Sequence, residues 1–413
     1  MASFPYEMQF FCCSDWNQSM QEIQKAAKFF TWQDAMSVGA VQGETGINGL
    51  KIDFNNGIRL QVPEGNWHVT IGDYDSGLVF YDRDVSKTIV ISMEKFYVHW
   101  QVEVFRNGTP VFAHIFDPTG QKIRLVFNSK LLGDMQSFLP YVPVAKDWFQ
   151  ADIYCTIDES MKPVFRRLLP NIRLRDENEE DTYATFYLNA SIDFPGWLPL
   201  DGRTVPMIHT GRFILGLPSA AEKLPWIPGP RTIQEPYVCI GVQASSVEKG
   251  WLYPGGWEEV TKSLKDRGYR VLCIDRDKKM ESEGFTVEIP NGAEDFTGNR
   301  SLLERADMLH HAEFFVGLSS GLSWLAWTAD CPVVMIGGFT TYWYEFLTPY
   351  RVFNRVACNG CFNDRRVYWK ENPCARQEKG SENVLKCSKT ITPRMVMAAV
   401  DRLIADKKAG KAG

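Results

Sequence analysis

Histidine is scarce, six in 413 residues. None stands at a metal-ligand spacing from a carboxylate or a cysteine, so none is assigned to catalysis. Basic residues are not in excess either: 45 Lys and Arg against 50 Asp and Glu give a formal net charge of -5. That balance opposes binding to a nucleic acid backbone by counterion release. No G-x-G-x-x-G follows a strand-like run and no Walker A segment is present, which removes support for dinucleotide redox chemistry and P-loop ATP hydrolysis. Residues 1–20 have no basic residue ahead of their apolar patch and carry Glu7 and Asp15, so they do not read as a secretory leader. The longest charge-poor stretch, 314–344, is broken by Gly317, Ser319, Ser320, Gly321, Pro332, Gly337 and Gly338. Buried α/β core fits it better than a membrane span. A cytoplasmic location is the expectation. Ten cysteines in such a chain do not make a disulfide framework.

Hydrophobic residues make up 45% and charged residues 23%, enough for a core without staples, and the length suggests about two to three domains. Met20, Ile23, Ala27 and Phe30 could line one face of a short helix. From Leu50 the period becomes two: Leu50, Ile52 and Phe54, then Ile58, Leu60 and Val62, with Asn56-Gly57 between them as a hairpin turn. Asn107-Gly108 marks a second hairpin. Residues 46–118 therefore read as an antiparallel β module, a sandwich or small barrel, suited to packing or assembly.

From Lys122 strands and helices alternate, and they do so again, more clearly, from Val238. Between them, 216–236 holds Pro218, Pro225, Pro228, Pro230 and Pro236, an interdomain linker. In the second set, 238–242, 271–274, 285–289, 314–318 and 333–336 read as strands. Trp257, Val260 and Leu264 mark a helix with Glu258 and Lys262 paired outside. Ser301 with Glu304 forms a capping box. Buried strands alternating with helices imply parallel doubly wound sheets, and two such units with a cleft between them are common among nucleotide-sugar transferases.

Ligands of open parallel sheets sit beyond the carboxyl ends of the strands, often on helix N-termini. That rule selects Gln243, Ser245, Ser246 and Lys249 after one strand, and Asp275-Arg276 after the next. It also selects Asp295-Phe296-Thr297-Gly298, and Ser319-Ser320-Gly321 opening a helix. One lysine, one arginine and two helix N-termini around a cleft suit a pyrophosphate. Each part has a plainer reading: Ser319 or Ser320 as an N-cap, Lys249 as a surface lysine, Asp275-Arg276 as a local ion pair. Asp134, after Gly133, is either a helix N-terminal acid favoured by the dipole or a carboxylate facing the cleft as a general base.

The sharpest pattern is Cys358-x2-Cys361-x12-Cys374-x12-Cys387. Four thiolates can close a tetrahedral site for zinc or a single iron, and an all-thiolate set leaves no open position, so the metal would be structural. The intervening segment is too polar to order itself by core burial, and a metal cross-link explains how it folds.

Leu131-Leu132-Gly133-Asp134-Met135, the Lys249 loop, 295–298 with Ser301-Leu302, and 315–326 together resemble the bacterial ADP-heptose glycosyltransferases. With a long N-terminal β module and four cysteines, the chain is similar to the autotransporter heptosyltransferases, which glycosylate serines of self-associating adhesins. The resemblance implies an α/β GT-B fold of two Rossmann-like domains. It divides the chain into a β-rich module (1–120), an acceptor and catalytic-base domain (121–230) and a nucleotide-sugar domain (235–350). A four-cysteine metal finger (351–390) and a C-terminal helix and tail (391–413) follow. It implies Asp134 as the base that deprotonates the acceptor serine for inverting in-line attack, and Lys249 as the group stabilising departing ADP. Leu131, Leu132, Gly133, Gln243, Ser245, Arg276, Thr297, Gly298, Ser320 and Gly321 are then donor contacts. It further implies iron at Cys358, Cys361, Cys374 and Cys387, one per subunit, no divalent ion for catalysis, and a large homo-oligomer. Lipopolysaccharide heptosyltransferases commonly read Asp-Ser-Gly where this chain has Ser319-Ser320-Gly321, so a role for that acid does not carry over.

Two other readings remain. A lipopolysaccharide-core heptosyltransferase would favour a basic or amphipathic membrane face, and none is evident. A non-catalytic metal-finger protein has only Arg365 and Arg366 in its favour.

Overall fold

The structure is a computed structural model that describes residues 10–13, 40–127, 129, 131–175, 182–189, 196, 198–282, 285–367, 374–377 and 380–411. The helix expected around Met20 to Phe30 lies outside them. The N-terminal part carries strands β1 (Phe10–Cys13), β2 (Lys51–Asn55), β3 (Arg59–Val62), β4 (Trp67–Asp73), β5 (Leu78–Val85), β6 (Thr88–Ser92), β7 (Trp100–Arg106) and β8 (Thr109–Ile115). Both Asn-Gly turns form as expected. Asn56 and Gly57 have φ of 57° and 92°, Asn107 and Gly108 51° and 80°; the second is a two-residue turn closed by Arg106 opposite Thr109, and the first lies in a longer loop closed by Asp53 opposite Arg59.

The chain continues through β9 (Lys122–Phe127), α1 (Leu132–Phe138), α2 (Tyr141–Phe149), β10 (Asp152–Thr156), α3 (Lys162–Leu168), β11 (Arg173–Leu174), β12 (Ala184–Leu188) and α4 (Thr210–Ile214). The antiparallel N-terminal strands divide between two sheets. One is four-stranded, in the order β5-β4-β7-β8. The others enter an eight-stranded sheet, β1-β6-β3-β2-β12-β9-β10-β11, because β2 pairs in parallel with β12, Ala184 opposite Phe54. The N-terminal sheet therefore extends the first Rossmann-like sheet and does not close on itself.

After the linker come β13 (Tyr237–Gly241), α5 (Gly256–Asp266), β14 (Arg270–Cys273), β15 (Lys279–Ser282), β16 (Phe285–Glu288), β17 (Glu294–Asp295), α6 (Leu302–His311), β18 (Phe315–Leu318), α7 (Gly321–Thr328), β19 (Val333–Ile336), β20 (Arg351–Val352), α8 (Lys386–Lys389) and α9 (Pro393–Lys408). Six strands make a parallel sheet in the order β17-β14-β13-β18-β19-β20. The run expected as a strand at 285–289 is not in it. Residues 285–288 pair antiparallel with β15 in a two-stranded ribbon, and their alternating half-exposed pattern suits a ribbon wetted on one face. Lys262 pairs with Asp266 at 2.7 Å in place of Glu258. Ser301 does cap α6, accepting the Glu304 N–H at 3.1 Å.

One apolar cluster runs from Ile123 and Leu125 through Met135 and Phe138 into Trp324, Leu325 and Phe346, so the two units share core at the cleft. The proline-rich linker lies against the second unit. Trp226 is buried, the Gly229 N–H reaches Asp307 at 2.9 Å and Lys223 the Trp327 carbonyl at 3.0 Å. No helix among the described residues is long and apolar enough to cross a membrane.

Candidate active site

Helices α1 and α7 meet where the two sheets present their carboxyl ends. A Cβ built on Gly321 stands 2.6 Å from the Leu132 Cβ, and one built on Gly133 stands 2.9 Å from the Trp324 ring. Both glycines are thus required by close approach of the two helices. Gln136, 1% exposed, locks the contact. Its Nε2 donates to the Leu132 carbonyl at 3.1 Å and to that of Gly321 at 3.3 Å, while its Oε1 accepts the Thr328 hydroxyl at 2.8 Å. The helix carrying Asp134 is therefore fixed on the helix opened by Ser320-Gly321.

Asp134 is half-buried in the first turn of α1. Burial raises its pKa above the ordinary carboxylate value. The Ser129 hydroxyl, donating at 2.8 Å, and the Lys249 charge pull the other way. Lys249 closes a single 3-10 turn, Val247–Lys249. Leu131, 54% exposed, is the extended residue before α1.

Ser320 stands at the N-cap position of α7 but makes no capping hydrogen bond. Its hydroxyl is buried and unpartnered, so the N-cap reading fails and that oxygen is left for a ligand. Ser319 is used differently. Its hydroxyl donates to Glu345, which also accepts Thr340 at 2.7 Å and the Arg351 guanidinium at 2.5 Å. A carboxylate from 26 residues further on thus lies against the Ser319-Ser320 turn. Burial would raise the Glu345 pKa, but Arg351, Ser319 and Thr340 together hold it low.

Gln243, Arg276, Thr297 and Gly298 gather at the ends of β13, β14 and β17. The Gln243 side chain donates to the Asp277 carbonyl at 2.6 Å, and the Gly298 N–H to the Arg276 carbonyl at 2.9 Å. Arg276 is 89% exposed, and Ser245 is exposed. Thr297 turns its hydroxyl onto Asp295 at 2.6 Å, which leaves its oxygen lone pairs for a ligand. The Asp275-Arg276 ion pair does not form. Asp275 is buried and accepts the Val242 and Gln243 N–H groups at 2.7 and 3.3 Å. Burial pushes its pKa up to about 6. Arg305, 3% exposed, pins these loops by donating to the carbonyls of Ile274, Asp275 and Gly298 at 2.8, 3.0 and 2.8 Å. The sequence reading missed Ser129, Gln136, Arg305 and Glu345. Only Glu345 left a signal, as a lone acid between Tyr344 and Phe346.

Cys361, Cys374 and Cys387 are buried and Cys358 is half-buried. Burial pushes the Cys387 thiol up to about 12, helped by the charges of Cys358, Cys361 and Cys374. Burial also raises Cys361, with Cys358 and Cys374 adding to it and Arg376 opposing. Among the described residues no group of three or more His, Cys, Asp or Glu stands in a metal-holding arrangement, so the expected closed four-thiolate geometry is not formed. Neutral thiols gain nothing from tetrahedral approach without a cation to draw them together. The donor set nevertheless fits a thiophilic metal by type: four cysteines, of which burial raises Cys361 and Cys387, so a bound cation would favour their thiolates.

Residues 46–108 match the model of the glycosyltransferase TibC N-terminal domain, and 211–365 that of glycosyltransferase family 9, the heptosyltransferases. The autotransporter heptosyltransferase BAHTCr of Citrobacter rodentium is 37% identical over 87% of this chain and 90% of its own. The crystal structure of TibC from enterotoxigenic Escherichia coli H10407, an iron-containing dodecameric glycosyltransferase, is 33% identical. It superposes with a TM-score of 0.82 over 89% of this chain and 98% of that one, and TibC has also been solved with ADP-D-β-D-heptose. A relative from Burkholderia thailandensis, 28% identical over 86% of each chain, bears the name inactive autotransporter heptosyltransferase BimC. Similarity alone therefore leaves turnover to be argued from the residues in the cleft.

Proposed function

The chain belongs to the autotransporter heptosyltransferases, which are glycosyltransferases, and from that premise we propose that it moves heptose from an ADP-heptose donor to serine hydroxyls of an autotransporter adhesin. The observation that carries this reading is the Asp134 carboxylate in the first turn of α1, oriented by Ser129 where α1 packs closely on α7. A partly desolvated carboxylate is a stronger base than one in water. Asp134 takes the proton of the acceptor hydroxyl as its oxygen attacks the anomeric carbon in line. The C–O bond to ADP breaks on the opposite face, so configuration inverts.

Charge then grows on the departing diphosphate. Lys249, the Ser320 hydroxyl and the first N–H groups of α7 receive it, and because they are already oriented they stabilise the transition state more than the bound donor. Leu131, Leu132, Gly133 and Gly321 form the wall shared by donor and base. Gln243, Ser245, Arg276, Thr297 and Gly298 form the nucleotide side. In this scheme 1–120 is the assembly module, 121–230 carries the base and acceptor site, 235–350 the donor site, 351–390 the finger and 391–413 the terminal helix and tail.

Cys358, Cys361, Cys374 and Cys387 would hold one iron, as TibC is iron-containing, with zinc the alternative from spacing. An all-thiolate site supplies a structural cross-link. By the same kinship the protein forms a large homo-oligomer and works in the bacterial cytoplasm.

The N-terminal match to the TibC domain favours a protein acceptor over a lipopolysaccharide core. Incubating full-length protein with ADP-heptose and either an adhesin passenger or a lipopolysaccharide core tests this. Heptose mapped to passenger serines supports the reading, and transfer to the lipid core alone overturns it.

A further inference from the structure

The turn that presents Lys249 has little to hold it locally. It is three residues long, with extended backbone at Ser246 before it and at Gly250 after it. Its own hydrogen bonds are Lys249 N–H to the Ser246 carbonyl at 3.2 Å and Gly250 N–H to the Val247 carbonyl at 2.9 Å. A turn this short cannot fix a long side chain without long-range support.

That support comes from the cysteine segment. Val247 sits in a small apolar cluster with Cys374 and Leu385, with Leu252 and Val384 against it. Ser388, next to Cys387 and 2% exposed, bridges the chain just beyond the lysine. Its hydroxyl donates to the Gly250 carbonyl at 2.6 Å and accepts the Leu252 N–H at 2.9 Å. One hydroxyl thus satisfies a backbone acceptor and a backbone donor two residues apart, where removal leaves both unpaired and little water can enter. Trp251 Nε1 donates to the Ile391 carbonyl at 2.8 Å, extending the brace. Leu385 is left-handed, with φ of 56°. A bulky side chain keeps that conformation only where surrounding packing over-determines it, and here the packing includes Val247.

We infer that Ser388 is a positioning residue for Lys249, through which the cysteine segment sets the donor site. The inference rests on the reading that Lys249 binds the donor diphosphate. Ser388 touches no substrate; it holds the backbone on which the ammonium is carried.

Titration calorimetry with ADP on the full-length protein tests it, with metal content and Tm measured on the same samples. Ser388→Ala is expected to weaken ADP binding about tenfold. Ser388→Thr, which keeps the hydroxyl, should restore it to within about twofold, and the acceptor KM should not move. Leu385→Ala, which loosens the Val247 packing and leaves Ser388 intact, should weaken ADP in the same direction. In a Lys249→Ala background, Ser388→Ala should change ADP affinity by less than about twofold, because its effect passes through the lysine. Wild-type ADP affinity in Ser388→Ala, with Lys249→Ala weakened, would overturn the inference and leave the role of Lys249 standing. An equal loss with and without Lys249 overturns it as well. Unchanged ADP binding in Lys249→Ala removes the diphosphate reading itself, and the inference with it.

Discussion

The Ser129 hydroxyl donates to Oδ2 of Asp134 at 2.8 Å while its oxygen takes the Leu131 N–H at 3.1 Å. The carboxylate is therefore oriented by a residue that is itself oriented, and among the described residues Oδ1 takes no hydrogen bond. A base must be ionised to work. Since burial raises the Asp134 pKa, turnover should be lost on acidification at a higher pH than an exposed carboxylate would set. Ser129 pulls that pKa down, so Ser129→Ala should move the acid limb of kcat/KM to higher pH. A pH–rate profile checks this, and a limb that stays or moves down contradicts it.

Gly321 and Leu132 set how closely α1, which carries the proposed base, approaches α7, which opens the proposed donor site. Gly321→Ala places a methyl 2.6 Å from the Leu132 Cβ, so α1 must shift by a fraction of an ångström or more. A misplacement of about 1 Å can lower a rate about a hundredfold. The expected result is a loss of kcat in that range with the fold retained, read by steady-state kinetics beside circular dichroism.

Glu345 and Arg351, 3% and 4% exposed, form a buried pair beneath the Ser319-Ser320 turn. Arg351→Ala leaves an uncompensated buried carboxylate and should destabilise by about 3–5 kcal/mol. Replacing both with apolar residues, Glu345→Leu and Arg351→Met, should recover most of that. Because the pair holds the Glu345 pKa below its unfolded value, its contribution is present above the ordinary glutamate pKa and fades as pH falls through the folded one. Denaturant melts at two pH values measure both effects.

Much of the second unit was legible because β13, β18 and β19 are near-continuous apolar runs, as strands covered on both faces must be. The ribbon strand Phe285–Glu288 was misplaced although Phe285 and Val287 alternate with Thr286 and Glu288, the mark of a half-wet strand. The parallel joining of β2 to β12 had no local signal: Phe54 meets Ala184 across about 130 residues, and such pairing is decided by packing. At the site, the places of Asp134 and Lys249 after strands made them candidates, and the roles proposed for them came from the family resemblance. Ser129, Gln136 and Arg305 could not, because they act on backbone groups and on other side chains whose positions only the fold supplies.

In the proposed mechanism Lys249, Ser320 and the N–H groups of α7 supply the diphosphate with positive charge and donors from the protein itself. Turnover should therefore persist in EDTA without added magnesium, provided the finger metal is retained. A progress curve with and without EDTA, with elemental analysis of the recovered protein, checks this. Loss of rate that magnesium restores while the finger metal is unchanged contradicts it.

The most direct test is the intact mass of an adhesin passenger fragment after incubation with ADP-heptose and this protein, run beside Asp134→Ala. The expected result is mass added in heptose steps by the wild-type protein, with the variant slower by about a hundredfold or more while binding ADP as before. Equal addition by the variant would strip Asp134 of its role. No addition by folded, metal-loaded protein would contradict protein heptosylation.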